Sequence, residues 1–291
     1  MLTDSYKHQG MRRKLVDALH REGITDERVL AAMQRVPRHF FFEKAFVEKA
    51  YENIAFPIGE DQTISQPYTV AYQTQMLQLK PSDTVLEIGT GSGYQAAILA
   101  ALGAKVVTIE RNRKLHEQAK KLLVEMGYNN IIHLFGDGYE GSPNLAPFNG
   151  ILITAAAPYV PPALLDQLAI GGRLVIPVGN NEQQQMWCIE KTSTQTYETT
   201  KGDWFKFVPL LKGKVFWKKA FFLHKHATIK PTFTTWQYQC SFTFYQPNNN
   251  TKASTAPLVY VERSRNAEYV FFGGDAWHYL TRLVGGTPKA W

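Results

Sequence analysis

The chain has 291 residues, 44% of them hydrophobic, and a formal net charge of +7. That length suits one or two domains with a sizeable core. No run of 18 apolar residues occurs, so no membrane-spanning helix is expected, and the charged start Met1–Lys7 carries no apolar stretch of a secretory signal.

The first 50 residues read as helical. Leu15, Val16, Ala18 and Leu19 give one apolar face. Thr25-Asp26-Glu27 opens a second helix carrying Val29, Leu30 and Met33, which should stop before Pro37. From position 84 strands and helices alternate: strand 84–88, helix 94–102, strand 105–110, helix 113–126, strand 131–135. Gly150–Thr154 is a further strand, a helix spans 161–169, and Gly171-Gly172 leads into a strand at 173–178. Gln185–Lys191 and Trp204–Leu210 read as late strands, a hairpin at the sheet edge. This rhythm implies an α/β fold, a Rossmann-like, doubly wound, mostly parallel sheet with helices on both faces.

The segment Val85-Leu86-Glu87-Ile88-Gly89-Thr90-Gly91-Ser92-Gly93-Tyr94 is a buried strand, a glycine turn and a helix start. The dinucleotide fingerprint needs G-x-G-x-x-G. Here Gly89, Gly91 and Gly93 are spaced G-x-G-x-G, and Glu87 precedes the turn, where a carboxylate repels pyrophosphate. A cationic ligand, such as a sulfonium with its α-amino group, suits that acid better. Glu110 ends the next strand, 19 residues after Gly91, at the place where an acid accepts from ribose hydroxyls. Asp137, between Gly136 and Gly138, follows the strand 131–135 and can accept from an adenine amino group. Each of these features has a plainer reading as an ordinary turn or a solvated strand end. Together, at the carboxyl ends of neighbouring strands, they face one crevice and make S-adenosylmethionine the expected ligand.

Residues 9–213 resemble the bacterial type of protein-L-isoaspartate O-methyltransferase. The resemblance rests on Ala50-Tyr51-Glu52-Asn53, Pro57-Ile58-Gly59, Gln62-Thr63-Ile64-Ser65-Gln66-Pro67-Tyr68, the glycine turn, Gly136-Asp137-Gly138, Ala146-Pro147-Phe148, Thr154-Ala155-Ala156, Gly171-Gly172-Arg173-Leu174 and Phe207-Val208-Pro209-Leu210. The Thr63–Pro67 segment is the most specific of these. One departure is Asn149, where the family usually has Asp.

The resemblance implies a class I S-adenosylmethionine methyltransferase that moves a methyl group to the free carboxylate of isoaspartyl residues in damaged proteins. It implies Ser65 as the catalytic residue, holding the acceptor carboxylate by a hydrogen bond. A serine before Pro67 equally suits a helix cap. It implies Ile64, Val208, Pro209 and Leu210 along the substrate backbone, positions that core packing would also explain. It implies Glu87, Gly89, Gly91, Gly93, Glu110, Asp137 and Gly138 around the cofactor, and a monomer as the working unit. No Ser–His–Asp order is apparent. A non-catalytic binding protein on the same fold, or a methyltransferase with another acceptor, are the competing readings.

Two domains are expected, 1–213 for methyl transfer and 214–291 as an unassigned extension. Residues 1–213 hold 22 basic and 22 acidic residues, so the whole net charge lies in 214–291, with 10 and 3. The extension's charges are scattered and carry no nucleic-acid motif, so no specific nucleic-acid partner is expected. Thr232–Tyr245 is strand-like, Gln246–Thr255 a polar loop and Ala276–Val284 a short helix. A small β-rich domain and an aberrant extension are the two readings. Cys188 and Cys240 are isolated, which fits a reducing cytoplasm, and the eight His show no metal-ligand spacing, so no metal is expected.

Overall fold

A computed structural model describes residues 3–216, apart from 181, and six strands between 228 and 272. It divides into two compact units, Met1–Lys218 and Lys219–Trp291.

The first unit opens with α1 (Tyr6–Arg21) and α2 (Glu27–Arg35). Ser5 caps α1 by accepting from the His8 N–H, and Asp26 caps α2 by accepting from Arg28 and Val29. Each cap satisfies amides that the helix leaves without a partner. Single 3-10 segments at Arg38–Phe41 and Lys44–Lys49 lead to a small hairpin, β1 (Phe56–Gly59) and β2 (Gln62–Ile64). Then come α3 (Pro67–Leu77), β3 (Thr84–Ile88), α4 (Tyr94–Ala101), β4 (Lys105–Glu110), α5 (Arg113–Glu125) and β5 (Ile132–Phe135). β6 (Phe148–Ile153), α6 (Pro162–Asp166), β7 (Leu168–Gly179), β8 (Gln184–Lys191) and β9 (Tyr197–Phe205) complete the unit.

One seven-stranded sheet runs β5-β4-β3-β6-β7-β8-β9. The first five strands in that order are parallel, and β8 and β9 are antiparallel at one edge. Side chains alternate across the sheet, because successive residues of a strand face opposite sides. Val85, Val106, Leu152 and Val175 pack under α1–α4, while Leu86, Ile88, Val107, Ile109, Ile151 and Ile153 fill the other face. The strand order reverses between β3 and β6, so chain segments leaving these two strands diverge and open a crevice.

The structure corrects three element boundaries. The helix expected over 161–169 closes at Asp166, and Leu168 already pairs with Phe148. The Gly171-Gly172 pair therefore lies inside a long irregular strand. The second edge strand is Tyr197–Phe205, not Trp204–Leu210. Its outward face is polar and exposed, so its alternation carried little apolar signal. Residues 206–210 leave the edge and return to the crevice, where Ala156 N–H donates to Val208 O at 2.8 Å. Asn149 accepts from the Thr84 N–H at 2.9 Å, tying the start of β6 to the start of β3.

Among the described residues, the second unit holds three antiparallel strand pairs: β10 (Thr228–Thr232) with β11 (Thr235–Gln239), β12 (Phe242–Tyr245) with β13 (Lys252–Ala256), and β14 (Val259–Ser264) with β15 (Ala267–Phe272). Within the range 232–245 expected to be strand-like, the described residues Thr232, Thr235–Gln239 and Phe242–Tyr245 lie in strands. The expected polar loop gives way at Lys252 to a strand paired with Phe242–Tyr245. Cys240 and the helix expected over 276–284 lie outside the described residues.

Candidate active site

The crevice is built chiefly from five segments, with Val70, Tyr94 and Gln95 behind them. The glycine turn contributes Gly89, Thr90, Gly91 and Ser92; β2 and the loop after it contribute Gln62, Thr63, Ile64 and Ser65. Glu110 stands at the end of β4, and Thr154, Ala155 and Val208 close the side beyond β6.

At Gly89 the backbone takes φ +98°, and a Cβ there would lie 2.5 Å from the Thr154 hydroxyl oxygen. That hydroxyl donates to the carbonyls of Gly89 (2.7 Å) and Ile88 (3.0 Å). Only glycine meets both demands. Gly138 is needed for a different reason: a Cβ would collide with Ile88 Cγ2. Gly93 opens α4 and sits behind the wall.

Glu110 faces the crevice. Its carboxylate accepts from the Gly91 N–H (2.9 Å) and the Asn112 N–H (2.8 Å). Burial raises its pKa, and these amide donors oppose the shift. Lone pairs remain for hydroxyl donors.

Glu87 lies deeper than the sequence suggested. Alternation along β3 puts it on the Val85 face, fully buried and off the crevice wall. Thr108, its register partner, donates to Glu87 Oε2 at 2.5 Å, and the Thr90 and Thr108 hydroxyls are 2.6 Å apart. Glu87 thus reaches the wall only through Thr108 and Thr90. Burial pushes its pKa up to about 8, so its carboxyl is largely neutral at pH 7. The sequence places Glu87 at the turn as an ionised acid; the structure sets its carboxyl one layer behind the wall.

Asp137 is also set back from the wall. Oδ1 accepts from the Tyr139 N–H (2.9 Å) and Oδ2 from the Gly213 N–H (2.5 Å).

Ser65 lies on the wall, and the capping alternative does not describe it. The N-cap of α3 is Gln66, without a side-chain cap bond. The Tyr68 N–H in the first turn donates instead to Asn53 Oδ1 at 2.9 Å. Among the described residues the Ser65 hydroxyl has no hydrogen-bond partner. Its backbone is held from below by Arg38, whose Nη2 donates to Ser65 O (2.9 Å) and whose Nε donates to Ala50 O (2.9 Å). Arg38 is fully buried between the rings of Tyr94 (4.7 Å) and Phe42 (5.4 Å). Burial lowers its pKa to about 10, so it keeps its charge at pH 7. Sequence reasoning missed Arg38. An Arg beside Pro37 among four aromatic or His residues was the available signal. Of the substrate-side residues, Ile64 and Val208 line the crevice, while Pro209 and Leu210 sit just beyond, with Leu210 buried.

The fold also gathers Asp4, His8 and His39, whose side-chain ligand atoms lie within 4.8 Å of one another. No His spacing had pointed to them. Both Asp4 oxygens accept from Arg12, and both His39 ring nitrogens are engaged, by Tyr51 and by the Thr3 carbonyl.

The crevice residues suit a particular ligand. Hydroxyls, backbone amides and one carboxylate line it, and none of the lining residues is basic. A phosphate would find no cation there. A ribose and a sulfonium find acceptors. This crevice at the switch point of a mixed seven-stranded sheet defines a class I S-adenosylmethionine-dependent methyltransferase.

Comparison with known proteins narrows the class. Residues 10–215 match the sequence model of Protein-L-isoaspartate(D-aspartate) O-methyltransferase (PCMT). The chain belongs to that family. It is 50% identical over 213 residues to the protein-L-isoaspartate O-methyltransferase of Christiangramia forsetii, covering 73% of this chain and all of that one. Against the enzyme of Cytophaga hutchinsonii the identity is 52% over 217 residues, 74% of this chain and 97% of the other. The fold matches a Plasmodium falciparum crystal structure described as a protein-L-isoaspartate O-methyltransferase in complex with S-adenosyl-L-homocysteine. There the TM-score is 0.61 at 24% identity, covering 69% of this chain and 99% of that one.

Two substitutions test these contacts. Arg38→Met keeps the bulk but strips two buried carbonyls of their donors, and is expected to cost about 2–4 kcal/mol in urea unfolding. Glu87→Gln bears on the raised pKa. Between an unfolded value near 4.3 and a folded value of about 8, the folded chain binds one more proton than the unfolded chain. Glu87 therefore destabilises progressively as pH rises through that window, by up to about 1.4 kcal/mol per pH unit. Glu87→Gln should remove this slope and gain on the wild type from pH 5 to 8. Parallel stability curves would show that Glu87 ionises normally.

Proposed function

We propose that this chain transfers a methyl group from S-adenosylmethionine to the free carboxylate of L-isoaspartyl residues in damaged proteins, with Ser65 as the residue that positions the acceptor. The observation that carries this reading is the composition of the crevice wall. It offers hydroxyl and amide donors but no His and no basic side chain, and its one acid, Glu110, is tied to two backbone amides.

Such a wall suits an acceptor that needs no deprotonation. A carboxylate is already ionised at neutral pH. A tight ion pair would dull it as a nucleophile, and the wall supplies none. The Ser65 hydroxyl can donate one hydrogen bond and leave the remaining lone pairs to attack. Arg38 fixes the backbone that carries this hydroxyl, so orientation is set before substrate arrives. Ile64 and Val208 flank the acceptor chain and keep water from the reacting carboxylate. When bound, S-adenosylmethionine supplies a methyl group activated on a sulfonium. Glu110 would hold its ribose, the backbone of Gly89–Gly91 its amino-acid end, and Asp137 and Gly138 its adenine. Glu87 supports the turn through Thr108 and Thr90.

The methyl ester formed is a better leaving group than the carboxylate. The neighbouring backbone nitrogen can displace it to give a succinimide, which opens partly to normal aspartate, so the outcome is protein repair. Among the described residues no helix is long and apolar enough to cross a membrane, and Cys188 is a free buried thiol. Both fit a cytoplasmic repair enzyme. The methyltransferase domain expected over 1–213 extends through Val215 and Phe216, which pair with Asn112 and Phe135, and 219–291 serve as an added unit.

An L-isoaspartyl peptide and its aspartyl twin discriminate the readings. Base-labile methyl ester should form on the first only; equal labelling, or none, would overturn the assignment. Ser65→Ala should lower turnover about 10–100-fold, the scale of one hydrogen bond to a charged group. Its affinity for S-adenosylhomocysteine, measured by calorimetry, should stay within twofold.

A further inference from the structure

The chain after Pro209 does not leave the crevice. Leu210 N–H donates to Ala156 O at 2.7 Å, beyond the carboxyl end of β6. Gly213 N–H donates to Asp137, beyond β5. Val215 then forms a parallel bridge around Asn112, beyond β4: its N–H donates to Arg111 O (2.7 Å) and its carbonyl accepts from Arg113 N–H (2.8 Å). The Phe216 ring stands 5.3 Å from that of Phe135, the last residue of β5. The segment Leu210–Phe216 therefore passes the carboxyl ends of β6, β5 and β4. The last two bear Asp137 and Glu110, the acids assigned to adenine and ribose.

Two properties mark this crossing as a removable cover. Beyond Leu210, which is buried and anchors its start, it is held by polar tethers and little apolar burial: Leu211 is 45% and Phe216 61% exposed. Segments of that kind open locally without global unfolding. The second property is one side chain that grips two successive carbonyls of the segment, beside the Asp137 carboxylate at Gly213 and the Tyr139 hydroxyl at Leu210 O. Arg111 donates from Nε to Gly213 O and from Nη2 to Lys212 O, both at 3.0 Å. A planar guanidinium can span two successive carbonyls in this way; an ammonium cannot hold the same fork.

We propose that Leu210–Phe216 is the roof of the adenosine half of the cofactor site and that Arg111 is its latch, a positioning residue whose release admits the cofactor and lets the spent cofactor leave. This rests on the reading of the crevice as an S-adenosylmethionine site. The Asp137 carboxylate couples roof and ligand, since the oxygen that accepts from Gly213 keeps a lone pair for an adenine amino group.

The test uses the full chain and S-adenosylhomocysteine as the probe. Amide hydrogen exchange at Gly213 and Val215 should slow at least tenfold when the probe binds, with the amides of β8 and β9 unchanged. In stopped-flow displacement, Arg111→Ala should raise the dissociation rate of S-adenosylhomocysteine at least tenfold, and Arg111→Lys should fall between it and the wild type. Because the exchange measurement uses the wild type, it stands even if the variants fold poorly. If the probe binds but exchange at both amides is unaffected, or a folded Arg111→Ala releases it within twofold of the wild-type rate, the roof is overturned and the cofactor reading survives. If the wild type fails to bind the probe, both fall.

Discussion

The turn at Gly89 is the constraint on which the rest of the crevice depends. Thr154 donates one hydroxyl to two successive carbonyls of that turn, and the same oxygen occupies the space a side chain would need. This pins the end of β3 to the end of β6 at the point where the strand order reverses. The chain leaving β3 must then turn toward β4, where the Gly91 amide meets Glu110. The cofactor side of the crevice follows from that one close approach between two backbones.

The acceptor side depends on a different interaction. Arg38 is a buried cation whose guanidinium is met by two carbonyls and two aromatic faces. Burying a charge is expensive unless hydrogen bonds and polarisable faces replace water. Here the compensation comes from segments that would otherwise be independent: the 3-10 turn at 38–41, the loop at Ala50, the serine loop and α4. The N-terminal third of the methyltransferase unit thereby becomes a support for Ser65. A loop that must present an unpaired hydroxyl cannot use that hydroxyl to hold itself in place, so its anchor has to come through its backbone.

Three acids placed near the glycine turn by sequence spacing prove chemically distinct. Glu110 keeps two amide donors and faces the crevice. Asp137 accepts one loop amide on each oxygen, from Tyr139 and Gly213. Glu87, one pleat below the turn, is buried with a single hydroxyl donor on one oxygen and none on the other. The donors around each carboxyl, more than its distance from the turn, set the three environments apart.

The chain by itself determined the alternating strands and helices, the parallel sheet, the glycine turn and the membership implied by Thr63–Pro67, because apolar periodicity and glycine spacing are local properties. It carried the edge strand Tyr197–Phe205 poorly, since an exposed polar strand has no apolar alternation to show. Leu168–Gly179 was misread at its start for a related reason: a short helix and an irregular strand share the same apolar residues there. Only the tertiary structure decided that Glu87 lies behind the wall, that Arg38 holds Ser65, that Asn149 joins two strands and that Leu210–Phe216 returns across β6, β5 and β4. Each of these is a contact between residues far apart in the chain, fixed by which backbone groups remain without partners after the sheet has formed.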